Sequence, residues 1–418
     1  MGILGATVRH SWIYNSVLIF VAVCGVTYLF WKSCIATIDE VDFKFIWLAG
    51  VVWAKGGDPY SVTYFNTAQV IFEGLKTNVP QFWYYGPNWW PISRALAAFD
   101  LSTATLIWRL SIVALIVLGS LLFYWALPFF GYKISLIELA GFVGVVSLME
   151  PTANTITIGQ TAAIVYGGLA ALALGLAANR WYLIVTGVIV MLLKPQIGLV
   201  FLPSLFVFRA YRFAVITALL ITCLMALPSL IGHDLMTVFR EYVAQAVIHG
   251  KQPSNLPPET TGLRHLIYAL SGQTISSLST TAIAILVVTA GTLVLRQNEG
   301  GMTANAINAW LFFAISSLAC IVSLHTYDLI FLAPLLLLSL GFDVTFRILT
   351  LLGFVVIVRS GNLAHFFDPK TADEQLQISA SLDTGSIALL FCVGVASIFR
   401  KSRNHGKGKE DNQTLSSV

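Results

Sequence analysis

Three acids crowd the segment Asp39-Glu40-Val41-Asp42-Phe43, just past the first long apolar run of the chain. A carboxylate at a water–lipid boundary can take a proton from a hydroxyl nucleophile when the two are within hydrogen-bond reach. Asp39 and Asp42 stand three residues apart, so one helical face could carry both. Carboxylate oxygens also suit hard cations. The plainer alternative is a solvated helix start, where the helix dipole favours acids. Lys194 is the second group with chemistry to offer. It interrupts an apolar stretch together with Pro195 and Gln196. A lysine at membrane depth is expensive and usually lines a cavity or meets an anion, such as a phosphate held as by a point charge. The alternative is a lysine snorkelling from a helix end. His325, in Ser323-Leu324-His325-Thr326-Tyr327-Asp328, could bind sugar hydroxyls or phosphate, or move a proton. Gln160, in Thr157-Ile158-Gly159-Gln160, could cap a helix start or donate to a ligand. Arg264 and His265 add positive charge further on, where structural pairing competes with phosphate binding.

The elements that must position these residues are membrane helices. Hydrophobic residues make up 57% of the chain and charged ones only 11%, and the mean hydropathy is +0.80. Apolar runs recur from end to end, and about 20 apolar residues span a bilayer core. Backbone polar groups in lipid must pair internally, so these runs predict α-helices. The expected architecture is an all-α polytopic membrane protein. Its expected spans are 12–32, 104–126, 134–149, 160–178, 181–193, 197–208, 213–231, 281–296, 304–321, 327–341, 345–358 and 384–399, about twelve within a range of roughly 10–13. The short pair flanking Lys194 reads as a broken or re-entrant unit. The run from Trp12 to Trp31 lacks a small-residue cleavage site and is expected to remain as a span.

Arg9, Lys133, Arg180, Arg209, Arg212, Arg296, Arg347 and the tail Arg400-Lys401-Arg403 fall at every second connection. The positive-inside rule makes those connections cytoplasmic, and both termini with them. The unusual polar residues then share the opposite, outer face, on loops that include 33–103 and 232–280. In the first of these loops, Phe43 to Lys55 reads as an amphipathic helix stopped by Gly56-Gly57-Asp58-Pro59, with a second helix near 62–76. The aromatic stretch Phe82 to Pro91 suits the membrane interface. A further helix is expected near 234–248. Residues 1–399 form one membrane domain, and the polar tail 400–418 is expected to be disordered.

A net charge of +4 is too small to imply nucleic acid, and the five cysteines are scattered without metal spacing. No phosphate-binding glycine loop, zinc-protease helix or nucleophile elbow is present.

The chain resembles glycosyltransferase family 87, polytopic enzymes of the GT-C type that use polyprenyl-phosphate sugars, typically the mannose donor. Asp42-Phe43 followed by Gly57-Asp58-Pro59-Tyr60 carries the resemblance, as does Tyr84-Tyr85-Gly86-Pro87 before a span with Trp108. Gly159-Gln160 opening a span, Leu193-Lys194-Pro195 closing a later one, and His325 at an outer span end complete it. Gly86 stands where the family often has a first proline, and Pro258-Glu259-Thr260-Thr261-Gly262 matches poorly the polar motif that usually precedes an arginine.

The resemblance implies an inverting sugar transfer on the outer, periplasmic face of the plasma membrane. Asp42 would be the general base, Lys194 and Arg264 would hold the donor phosphate, and His325, Gln160, Tyr85, Asp58 and Glu40 would contact sugar or acceptor. Its partners would be a polyprenyl-phosphate sugar and a glycolipid or polysaccharide acceptor. No cofactor or metal is expected if cations stabilise the phosphate. The alternative is a transporter or flippase of a lipid-linked sugar, which should show ionisable residues near mid-membrane and internal pseudo-symmetry. A third is a non-catalytic assembly subunit, which would have no need for an acid, a lysine and a histidine to converge.

Overall fold

A computed structural model describes residues 2–35, 42–73, 82–207, 210–257, 259–299 and 303–415. Asp39 and Glu40 lie outside the described residues. Helix α1 (Gly2–Ile35) is followed by α2 (Phe43–Ala54), α3 (Val62–Ile71), α4 (Trp90–Leu96) and α5 (Leu101–Ala126). Then come α6 (Leu136–Leu148), α7 (Glu150–Ile158), α8 (Ala162–Ala177), α9 (Trp181–Met191), α10 (Pro195–Val207) and α11 (Tyr211–Ala226). The second large loop holds α12 (Leu235–His249) and α13 (Leu263–Ser271). The chain closes with α14 (Ser277–Glu299), α15 (Ala304–Ile321), α16 (Pro334–Leu338), α17 (Val344–Val358), α18 (Ser360–Ala364) and α19 (Ala372–Leu415). No β-strand forms among the described residues; one antiparallel bridge joins Thr261 to Leu324.

Each expected apolar run falls on helix, but the helices differ in length. Six are long and apolar enough to cross a membrane: Trp12–Cys34, Leu101–Phe130, Tyr211–Ile231, Ser277–Gln297, Ala304–Ile321 and Ala372–Phe399. The bent pairs α6–α7 (62°) and α17–α18 (78°) raise this to eight if each is one span. Helices α8, α9, α10 and the segment Thr326–Gly341 are apolar but shorter, below the roughly 20 residues that a bilayer core requires. The chain is therefore a multi-pass, all-α membrane protein with six to eight spans by length and composition.

Large apolar side chains of α1, among them Trp12, Phe20 and Phe30, face outward, as they must where the surroundings are lipid. Helix α15 is the opposite: nearly every residue is buried, and its Trp310 donates to Thr292 Oγ1 of α14 at 2.9 Å. Small residues set the closest approaches, as is usual between membrane helices. A Cβ on Gly144 of α6 would lie 2.5 Å from the Val21 carbonyl oxygen of α1.

The segment between α1 and α5 departs from expectation. Helix α2 was expected to be amphipathic, with one apolar side, yet Phe43, Ile46, Trp47, Leu48, Ala49, Val52 and Trp53 are all buried. It is a core helix because both sides are covered: on the expected apolar side a Cβ on Gly50 would stand 1.9 Å from the Ser93 carbonyl oxygen of α4, and on the other the Tyr64 hydroxyl of α3 donates to the Phe45 carbonyl at 3.1 Å. In the aromatic stretch Trp83 and Trp89 are wholly buried within the protein. Backbone helix runs from Ala372 to Leu415.

Candidate functional site

Asp42 occupies the N-cap position of α2, but its side chain makes no cap hydrogen bond. Asp100, Asp234 and Asp343 do cap their helices, accepting from Thr103, Thr237 and Phe346 backbone N–H groups. Asp42 instead reaches across the fold: Gln160 Nε2 donates to its Oδ2 at 2.6 Å. The backbone ties the same two segments together, with Asp42 N donating to the Ile158 carbonyl at 2.6 Å. An ordinary helix-start role therefore does not describe this carboxylate.

Gln160 is placed by the end of α7. Gly159 adopts the left-handed conformation at φ +70°, which glycine takes without strain. Trp108 Nε1 of α5 holds that turn by donating to the Gly159 carbonyl at 2.8 Å. The Trp108 ring stacks on Phe43, the residue after Asp42, at 5.2 Å between centroids. Two residues from distant elements thus fix the turn that aims Gln160.

Lys194 sits at the break between α9 and α10. The break leaves carbonyl groups at the end of α9 without helical partners, and the aromatic stretch supplies donors to them. Asn88 Nδ2 donates to the Leu192 carbonyl at 3.2 Å, and Trp89 Nε1 to that of Leu193 at 2.9 Å. The Lys194 ammonium forms a buried ion pair with Asp328 and stands 5.3 Å above the Tyr327 ring. The sequence predicts a lysine that lines a cavity or meets an anion such as a phosphate; in the structure the anion beside it is the Asp328 carboxylate.

The other side of the site is aromatic and histidine-rich. His325 stacks on Tyr327 at 5.0 Å, Tyr84 on Tyr85 at 4.8 Å, and His249 on Tyr84 at 3.7 Å with ring planes 4° apart. His325 Nδ1 donates to the Glu259 carbonyl at 3.1 Å, and its Nε2 stands 3.0 Å from Asn255 Oδ1. Asn255 Nδ2 donates to the His249 carbonyl at 2.9 Å, and Arg264 donates to the Asn255 carbonyl at 2.6 Å. Arg264 also donates to Ser277 Oγ at 3.1 Å. It reaches the cluster through Asn255.

Burial pushes the Asp42 carboxyl above its ordinary range; the Gln160 hydrogen bond and the charges of Lys44 and Lys194 oppose that rise. Tyr84 and Tyr85 are also pushed up, first by burial and in part by the Asp42 charge, so both hydroxyls stay protonated and can donate. Burial lowers His249 to about 4 against a bond to Gln252, so the ring that stacks on Tyr84 is neutral at physiological pH.

The structure thus brings Asp42, Gln160, Lys194, Tyr85 and His325 into one neighbourhood. Asp58 belongs elsewhere: it accepts from Tyr60 N at 2.9 Å and faces Glu241 of α12, whose carboxyl is raised chiefly by a hydrogen bond with Asp58. Asp328, Tyr84, Tyr327, His249 and Asn255 were not singled out from sequence as site residues. Asp328 gave no distinct signal, since an acid at the head of an apolar run also reads as a helix cap. The site can hold a carboxylate base beside phenol donors and a buried ammonium. Among the described residues there is no group of three or more His, Cys, Asp or Glu side chains that could hold a metal ion.

Comparison with protein-family models, curated proteins and solved structures gave no match to this chain.

Proposed function

We propose that the chain is a membrane glycosyltransferase that moves a sugar, by family resemblance mannose, from a polyprenyl phosphate to an acceptor hydroxyl. The observation that carries this reading is the Asp42 carboxylate. It is half-buried, raised by desolvation, oriented by Gln160 and not used to cap its helix. The resemblance to glycosyltransferase family 87 supplies the substrate class.

In this reading Asp42 accepts the proton of the acceptor hydroxyl as its oxygen bonds to the anomeric carbon. The bond from that carbon to the phosphate oxygen breaks with its electron pair, the polyprenyl phosphate leaves as an anion, and the configuration inverts. A base whose pKa approaches the working pH is the more effective one. Tyr84 and Tyr85 donate to sugar or acceptor oxygens. Lys194 stabilises the leaving phosphate, exchanging part of its interaction with Asp328 for one with the phosphate. Arg264 acts through Asn255 and the two histidines, as a positioning group. A GT-C arrangement of about twelve spans, obtained by counting the shorter helices as crossings, and an outer-face site in the plasma membrane with cytoplasmic termini belong to the same proposal.

The test is transfer by the purified full chain in nanodiscs, supplied with labelled polyprenyl-phosphate mannose or pentose and membrane extract. Asp42→Asn should lower transfer by about 10²–10⁴-fold with folded protein retained. Full activity in that variant refutes the base assignment, and wild-type protein that transfers none of these donors refutes the reaction class. The second reading, a transporter or flippase of a lipid-linked sugar, draws support from one observation: Asp383, a buried acid, lies inside the span-length segment Ala372–Phe399. Movement of the labelled lipid across proteoliposomes without a new product would favour it.

A further inference from the structure

Both bent helix pairs break at the same place in space. Glu150 is the first residue of α7, after the 62° bend, and Ser360 is the first of α18, after the 78° bend. The two junctions meet: Gly361 N donates to Glu150 Oε2 at 2.9 Å. The fit is close, because a Cβ on Gly361 would lie 2.2 Å from Glu150 Oε1. Helix α19 supplies the third side. Its Ser379 donates to Ser360 Oγ at 3.2 Å, and Asp383, one turn further on, shares the same helical face.

Asp383 is the unexplained member. It is completely buried, and neither carboxylate oxygen has a hydrogen-bond partner. The groups that act on it electrostatically are the Ser360 hydroxyl and the Glu150 carboxylate. No cation compensates the two acids: the ion pairs among the described residues are Lys194–Asp328 and Lys370–Asp368. Arg359, next to Ser360, lies 5.5 Å over the Tyr28 ring instead. An unpaired carboxylate at this depth is costly and is retained where it binds something.

We propose that Asp383, Glu150, Ser360 and Ser379 form a binding site for a hard monovalent cation of sodium size, enclosed by the two helix breaks. The donors are all oxygen, which suits such an ion. A cation engages both free oxygens of Asp383, whereas one proton would satisfy only one. Discontinuous membrane helices are also where coupling ions are held, by freed backbone and side-chain oxygens. The site lies at the opposite end of α7 from Gln160 and shares no side chain with the Asp42 cluster.

The test is binding of ²²Na⁺ to the purified full chain in nanodiscs, with choline as the inert replacement. Wild-type protein should retain the ion saturably and melt higher in sodium than in choline. Asp383→Asn should lose both responses while keeping its melting temperature in choline, and Ser360→Ala should bind about tenfold more weakly. Asp42→Asn should bind sodium as wild type does, which separates this site from the proposed transfer reaction. The proposal is overturned if wild-type protein shows no saturable ²²Na⁺ retention, or if its stability follows pH but not sodium. Undiminished binding in folded Asp383→Asn overturns it too. Should Asp383→Asn fail to fold, undiminished affinity in Ser360→Ala does the same.

Discussion

The Lys194–Asp328 pair makes a quantitative demand on the fold. Lys194 is 6% exposed and Asp328 3%, so neither charge can reach water if its partner is removed. Breaking a buried pair from one side costs about 3–5 kcal/mol, because the remaining charge is left uncompensated. Asp328→Ala should fall in that range. Asp328→Asn should cost less, since an amide oxygen can still accept from the ammonium, and the contact with Tyr327 survives to contribute about 0.5–2 kcal/mol. Lys194→Met strands the carboxylate and should again cost about 3–5 kcal/mol. The double variant Lys194→Met/Asp328→Leu removes both charges and fills similar volume, so it should return to within about 1–2 kcal/mol of wild type. The assay is reversible unfolding by SDS in mixed micelles, read as a double-mutant cycle. Single variants that each cost less than about 1 kcal/mol would refute the reasoning, since that is how a solvent-exposed pair behaves. The double variant also separates stability from chemistry: a folded double variant that transfers sugar normally would remove Lys194 from the proposed mechanism.

Three further outcomes are expected. Asp42→Asn should gain stability relative to wild type as pH rises. The folded pKa of Asp42 is raised by burial, so its stabilising contribution is present below the unfolded value and is lost as pH rises through the folded one. Melting temperatures across about pH 4 to 8 check this, and an advantage for the variant that shrinks toward high pH would contradict it. Trp108→Phe keeps the stack on Phe43 but loses the 2.8 Å bond to the Gly159 carbonyl. Stability should drop by about 1–3 kcal/mol, with transfer falling by up to about a hundredfold because Gln160 is misplaced; an unchanged rate would argue against that positioning role. Gly144→Ala forces a Cβ to 2.5 Å from the Val21 carbonyl oxygen and should cost about 1–3 kcal/mol in the same SDS assay, with a neutral result showing that α1 can move away from α6.

The helices were legible in the sequence because lipid imposes a simple condition: an apolar run must satisfy its own backbone. Their number of crossings was not. The apolar run around Ala162–Ala177 looks the same in sequence whether it crosses, stops short or lies buried. The polarity of the site was partly legible, since Asp42 and Gln160 both flank apolar runs. Asp328 was hidden by position, because an acid at the head of a run reads as a cap until its partner 134 residues away is known. Asp383 was hidden differently. Polar residues from Asp373 to Ser381 read as loop, so the expected span began at 384, whereas α19 begins at Ala372. The burial of α2 could not be read at all, because periodicity shows a stripe but never what covers the opposite side.

Helix ends account for several of the aromatic side chains around the candidate site. A helix that stops leaves carbonyl groups without partners, and lipid offers none. Here the stop after α7 is met by Trp108 and the stop after α9 by Asn88 and Trp89. An indole N–H is well suited to such a stop, because it brings one donor on a large apolar body and so satisfies a carbonyl while filling the space around it. Each of these donors fixes a break, and each break carries a polar residue of the site, Gln160 in one case and Lys194 in the other. The aromatic stretch therefore serves the site through backbone geometry. Ring substitutions that keep volume but lose the N–H should disturb chemistry more than folding, and substitutions that lose volume should disturb both.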